Sequence, residues 1–182
     1  MTPQGQLTAS ALQALVQDGT LTGSWTLDPT RSQVLLETRH TWGLLPLHGV
    51  FGQVTGNGTV TAAGQVTGTF TVAAASIDTK NKMRDKDLRS AKVFDIANHP
   101  DITYTVDGMQ PANGGVRVTG SLTVRGRTRP ASFGATVSAT DDDVRLDGEL
   151  QVNRTDFGLT WNRMGIASVD NTIVVHAVFT RS

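Results

Sequence analysis

Four histidines, at positions 40, 48, 99 and 176, are the first residues a search for chemistry meets. No two of them have the four-residue helical spacing or the short hairpin gap that lets imidazoles share a zinc ion, so no metal site is expected. Carboxylates are plentiful, but Asp141, Asp142 and Asp143 stand together in a turn. Asp156 stands two residues from Arg154, where a structural clamp explains the pair better than an acid and a base. There is no Gly-x-Ser-x-Gly elbow and no Gly-rich phosphate loop; Gly56-Asn57-Gly58 reads as a hairpin turn. The chain has no Cys, which excludes disulfides, thiolate metal ligands and a Cys nucleophile. His40 with Asp156 or Arg154 is the one pairing from which an enzyme could be assembled. Nothing in the set specifies one.

The remaining polar concentration is Lys80 to Lys92. Lys80, Lys82, Arg84, Lys86, Arg89 and Lys92 stand against Asp85 and Asp87, a local excess of four positive charges. The whole chain is neutral, with 16 basic and 16 acidic side chains, so it lacks the basic excess that phosphate neutralisation demands and no nucleic-acid partner is expected. The segment has two readings. It attracts the polar or anionic end of a ligand, with Arg84 the best bidentate donor, or it is a solvated helix face with local ion pairs.

These residues are carried by a chain that is mostly strand. Thr8 to Gly19 is the early exception: Leu12, Leu15 and Val16 recur at helical spacing, Thr8 or Ser10 can cap the start, and Gly19 can end it. From Ser24 the period becomes two. Val116, Val118, Gly120, Leu122 and Val124 alternate with polar residues, as do Val144, Leu146, Gly148, Leu150 and Val152, and Ile102, Tyr104 and Val106. Noisier runs cover Gln33–His40, His48–Val54, Asn57–Ala62, Gln65–Ile77, Thr128–Thr140 and Thr172–Thr180. Such alternation is the mark of antiparallel strands with one wet face. Lys82 to Ala91 reads as a short helix between strands. No internal repeat is visible, which argues against a propeller or solenoid. The expected fold is all-β: an antiparallel, lipocalin-like barrel of about eight strands, which buries every apolar face without leaving an edge. Residues 1–23 are expected to be a helical extension and 24–182 the barrel domain.

On the cleanest strands every inward position is apolar or Gly. Gly68, Ala74, Gly120, Ala135 and Gly148 fall among Phe70, Tyr104, Leu122, Phe133 and Leu150. Small beside large tapers a solid core or leaves a lumen, and an eight-stranded barrel is near the size where both occur. A lumen so lined would take an apolar guest.

The run Ala75-Ser76-Ile77-Asp78-Thr79-Lys80-Asn81, then Arg84-Asp85-Lys86-Asp87-Leu88-Arg89-Ser90, Phe94-Asp95 and His99-Pro100-Asp101-Ile102-Thr103-Tyr104, resembles the central signature of the YceI-like family. Trp25-Thr26-Leu27-Asp28-Pro29 with Arg39-His40 and His48-Gly49-Val50-Phe51-Gly52 resembles its opening. Val118 to Gly126 with Thr128-Arg129-Pro130 resembles its middle hairpin, and Asn153-Arg154-Thr155-Asp156-Phe157-Gly158-Leu159 its late turn. Asp87 stands where the family commonly has His, and Val93 where an aromatic is frequent. The resemblance implies a lipocalin-like barrel whose elongated lumen holds polyisoprenoids, isoprenoid quinones or fatty-acid amides without catalysis.

The expected ligand-binding residues are Leu36, His40, Trp42, Phe51, Phe70, Arg84, Leu88, Phe94, Tyr104, Val118, Leu122, Phe133, Leu150, Phe157, Trp161 and Phe179. Apolar contact is the common role, with Tyr104 able to offer a hydroxyl and His40 a structural or head-group hydrogen bond. The expected function is binding, transport or storage of a long apolar molecule, with no cofactor beyond that lipid. The alternatives are an enzyme acting on a small apolar substrate in the same pocket, and a filled barrel that acts through its surface. The first helix is expected to plug one barrel end or to dock on a second copy of the chain in a homodimer. No run approaches the roughly 18 apolar residues of a membrane span. Met1 to Asp28 has no Lys or Arg and no apolar leader core, so the chain as written reads as cytoplasmic.

Overall fold

The alternation that begins at Ser24 winds one antiparallel sheet into a closed barrel. The computed structural model describes residues 5–40, 46–161 and 167–182, with 39, 40, 46, 47 and 167 described by backbone alone. Helix α1 (Ala9–Gln17) is followed by β1 (Gly23–Leu27), β2 (Gln33–His40), β3 (Pro46–Phe51), β4 (Val54–Val60), β5 (Val66–Ala73) and the two-residue β6 (Ile77–Asp78). Helix α2 (Lys82–Arg89) then leads to β7 (Asp101–Ala112), β8 (Gly115–Val124), β9 (Arg127–Ala139), β10 (Asp143–Asn153) and β11 (Ala167–Arg181).

Among the described residues eleven strands make eight staves. β1 and β2 lie along the same edge of β11, with Leu27 opposite Phe179 and Val34 opposite Val175, so they are halves of one interrupted stave. β4 pairs with β1 and β3 with β2; β5 pairs with β4 and β6 with β3. From β7 to β11 each stave is continuous, each pairs with its predecessor, and β11 returns to the first. The order is an up-and-down meander, the simplest path that leaves no edge between first and last staves.

The strand boundaries correct two sequence expectations. Gly56-Asn57-Gly58 is not a hairpin turn but the middle of β4, paired across to Phe70, Thr69 and Gly68. Gly56 is there for close approach: a Cβ on it would stand 3.0 Å from the Thr69 carbonyl and 3.3 Å from Leu27 Cβ. The chain turns instead at Gly64, whose φ of +79° suits glycine. The run expected as one strand from His48 to Val54 breaks at Gly52 and Gln53.

Two inward glycines are hollows for rings. A Cβ on Gly120 would meet the Thr105 carbonyl and Tyr104 Cζ, and one on Gly148 would meet the Phe133 ring. Tyr104 and Phe133 then pack edge to face, 5.5 Å between centroids. The two rings make this part of the barrel wall dense.

Each helix closes part of one end. Thr8 caps α1, its hydroxyl oxygen accepting from the Ala11 amide, and α1 packs on β7 beside the β4–β5 turn. Asn81 caps α2, accepting from the Met83 and Arg84 amides. The helix stops at Arg89 because Ser90 turns extended. Among the described residues no helix is long and apolar enough to cross a membrane.

The interruption of the first stave is stapled by charge. Arg31 donates to Asp28 at 2.7 Å and, through both terminal nitrogens, to Asp143 at the start of β10. The Thr30 hydroxyl and the Arg31 guanidinium hold the Asp28 carboxyl down to about 2, and Arg31 lowers that of Asp143. A carboxyl lowered in the folded state contributes stability above its unfolded value, near 4, and loses it as pH falls through the folded one. Arg31→Ala should therefore lower Tm slightly at pH 5 to 7, the exposed pair being well screened. The gap to the parent should close as pH falls toward 2. Thermal melts across that range check this; a gap that widens in acid contradicts it.

Candidate ligand-binding site

The dense part of the wall does not extend through the barrel. A cavity of about 790 Å³ runs along its axis from α1 to α2, in the upper part of the range for small-molecule sites. Every stave contributes inward side chains, among them Val34 and Leu36 on β2, Val72 on β5, Val106 on β7, Val116 on β8, Val137 on β9, Leu146 on β10 and Ile173 and Val175 on β11. Most of these are short. Valines facing one another across an eight-stave ring leave space that leucines and rings would have filled. The filled-barrel alternative is thereby corrected.

Leu36, Phe51, Phe70, Arg84, Leu88, Phe94, Tyr104, Val118, Leu122, Phe133, Leu150, Phe157, Trp161 and Phe179 all line this cavity. Trp42 lies outside the described residues, and His40 is described only as the last residue of β2, its backbone opposite Ala167. Phe51 and Phe94 lean together at 6.2 Å beneath α2, and Lys92 Nζ sits 5.9 Å from the Trp161 ring centroid. Sequence reasoning missed Thr38 and Asn171, which also line the cavity and stand opposite each other on β2 and β11. The signal was available: 34, 36, 38 and 171, 173, 175 are period-two frames in which only the last inward member turns polar.

Polarity is graded along the axis. Among the described residues the charged lining groups, Arg84, Asp87 and Arg154, stand at the α2 end. Arg84 Nε donates to Thr79 Oγ1 at 2.8 Å and Nη2 to the Thr79 carbonyl at 2.7 Å, while Thr79 in turn donates to buried Asp85. Arg154 donates to the carbonyls of Leu159, Trp161 and Ser168, and burial pulls its guanidinium below the ordinary value. The expected clamp at Arg154 is thus built on backbone carbonyls. Beside them, among the described residues, the Thr38 hydroxyl is buried with no hydrogen-bond partner, and Asn171 Nδ2 donates to the Val169 carbonyl. A buried hydroxyl left unpaired is costly, and a ligand atom that reached it would remove that cost.

The basic segment is mostly structural. Lys80 pairs with Asp78 at 2.7 Å, and Arg89 donates to the Ala75 and Ile77 carbonyls, tying α2 to the stave it follows. Among the described side chains no nucleophile is aligned with a base; the side chain of His40, the expected partner of Asp156 or Arg154, lies outside them. The Tyr104 hydroxyl is occupied by the Ala131 carbonyl at 2.8 Å.

The description YceI-like domain matches residues 25–180. A UPF0312 protein of Pectobacterium atrosepticum is 30% identical over 106 residues, which is 55% of this chain and 55% of that protein. Protein YceI of Salmonella arizonae is 29% identical, with the same 55% shares. The chain thus spans about half the length of the curated relatives it matches. Among solved structures, BcnA of Burkholderia cenocepacia superposes with a TM-score of 0.75 at 23% identity, over 84% of this chain and 98% of that one. A polyisoprenoid binding domain from Saccharophagus degradans superposes with a TM-score of 0.68 at 15% identity, over 87% and 98%. At these identities the superpositions speak for the fold.

Tyr104 is the one tyrosine of the chain, so it reports on the lumen wall without interference. Burial, with a smaller contribution from Asp107, pushes its phenol up to about 12. A phenol raised in the folded state adds stability that is complete below its unfolded value, near 10, and lost as pH rises through the folded one. The phenolate absorbance of the folded protein should titrate near pH 12 and that of the denatured chain near 10. Tyr104→Phe should remove the fall in Tm between those values. A folded-state midpoint near 10 would show the ring to be wet.

Proposed function

The chain belongs to the YceI-like family, and we propose on that premise that it binds one long apolar molecule lengthwise in the barrel, for transport or storage and without turning it over. The observation that carries the reading is the continuous apolar lumen, open for about 790 Å³, with the charged groups among the described residues at one end. At ~30 Å³ for a water-sized group, that volume takes on the order of 25 heavy atoms. Each buried CH₂ contributes about 0.8 kcal/mol, so a tail of ten or more carbons supplies several kcal/mol after its ordering costs. The guest class is an isoprenoid, a quinone-like isoprenoid or a fatty-acid derivative. The description of the Saccharophagus degradans neighbour as a polyisoprenoid binding domain supports the first.

The polarity gradient orients the guest. A carbonyl, hydroxyl or amide head lies at the α2 end, within reach of Thr38 and Asn171, and the tail runs toward α1. A head placed the other way would meet Leu12 and Val16 across the barrel end, with the Gln13 and Gln17 amides exposed at its rim and no charged group among the described residues there.

Organic extraction and mass spectrometry of protein purified without detergent test the proposal. A long-chain lipid near one per protein is expected. Leu122→Glu and Leu150→Glu put a carboxylate on the lumen wall at positions now 4% and 6% exposed. Each should abolish lipid retention in whatever fraction remains folded by circular dichroism. Protein that carries no lipid, and takes up none when lipid is added back, would falsify the reading.

A further inference from the structure

Helix α1 lies outside the matched family domain, which begins at residue 25, yet it forms part of the lumen wall. Leu12, Gln13, Val16 and Gln17, on one face of the helix, all border the cavity. Leu12 is buried and Val16 half-buried, whereas Gln13 and Gln17 are exposed. Two apolar residues therefore lie across the barrel end, with two amides at the rim.

This helix is fixed rather than hinged. Before it, the Leu7 amide donates to the Val137 carbonyl of β9 at 2.8 Å. After it, the Leu21 amide donates back to Leu15, Thr20 is held by Asp18, and Trp25 Nε1 donates to the Leu21 carbonyl. Arg181, near the end of β11, straps the connector: its guanidinium donates to the Thr20 and Thr22 carbonyls at 2.6 and 2.9 Å and stacks 4.5 Å over Trp25. Val16 sits so close to the β4–β5 turn that a Cβ on Gly64 would come within 2.7 Å of it. A wall tied at both ends, apolar toward the lumen and polar at its rim, acts as a floor.

We infer that α1 sets the length of tail the barrel accepts, with Leu12 and Val16 the residues that mark its limit. The inference rests on the carrier reading above and assigns the tail-specificity determinant within it. Carbons above the floor are buried and each tightens binding about fourfold. Carbons beyond it must pass Gln13 and Gln17 into water and add nothing.

The test uses the full chain, stripped of copurified lipid. It is titrated with all-trans isoprenoid alcohols of two, three, four and six units by displacement of an apolar fluorophore. In the parent, Kd should fall with each added unit and then level off. In Leu12→Ala and in Val16→Ala the break should move to a longer alcohol, the first alcohol past the parental break binding at least about fourfold tighter than it does to the parent. In Val16→Phe it should move to a shorter one. Opposite displacements cannot both arise from a loosened fold, and melts of each variant confirm that it is folded. A break at the same length in the parent and in all folded variants overturns the floor while leaving the carrier reading in place. A parent that binds none of the alcohols overturns the carrier reading, and the floor with it.

Discussion

The circumference of eight staves against the length of inward side chains is the constraint on which the rest depends. A ring of that size is just wide enough for large side chains to meet across its middle. Tyr104 and Phe133, separated by one stave, pack edge to face over the hollows of Gly120 and Gly148 and make that part of the wall dense. Val34, Val72, Val106, Val116 and Val175 reach less far inward, and the axis they line together with those rings stays open. The meander alone does not decide between core and lumen. Side-chain volume on one face of each stave does.

A hollow apolar interior leaves its lining without partner atoms on one side, so dispersion contacts that a solid core would make are forgone. The wall must then be held from outside. Among the described residues four guanidiniums hold it: the Arg31 staple at the broken first stave, Arg89 on the carbonyls before α2, Arg181 on the connector of α1, and, at the rim of the lumen, Arg154 on the late turn. In each case a guanidinium bridges backbone or carboxylate oxygens of separate segments, a task for which its planar fork of donors is suited. A guest tail restores the missing contacts from within, and in that sense it completes the core.

How much of this was legible depends on which physical effect decided each feature. The staves were readable because alternation reflects burial of one face, and the burial of apolar surface dominates the driving force for folding. Nine of the fourteen expected residues that line the cavity sit on strands in period with unambiguous neighbours; Arg84, Leu88, Phe94, Phe157 and Trp161 lie on helices or loops and were legible through the family resemblance. Gly56 was misread because the glycine of a turn and the glycine of a close approach look identical in a sequence; only Leu27 and the Thr69 carbonyl, one contributed from nearly thirty residues away, tell them apart. Thr38 and Asn171 keep the inward frames of 34 and 36 and of 173 and 175, but being polar they fall out of a search for apolar lining. Whether the interior was hollow could not be read at all, since it depends on distances across the ring.

The two ends of the lumen have different origins in the chain. The polar end is assembled from Thr38, Thr79, Arg84, Arg154 and Asn171, all inside the matched family domain. The apolar end is finished by Leu12 and Val16, which precede it. Arg84 and Arg154 direct donors at protein oxygens, on Thr79 and on three backbone carbonyls. In the proposed carrier their positive charge colours the mouth more than it grips a particular anion, and head-group discrimination would fall to the uncharged Thr38 and Asn171. Tail discrimination would fall to shape, because apolar contact has no direction. A barrel of this kind can change what it carries by altering a helix that the sheet does not need for closure, with every stave and every strap of the sheet left as it is.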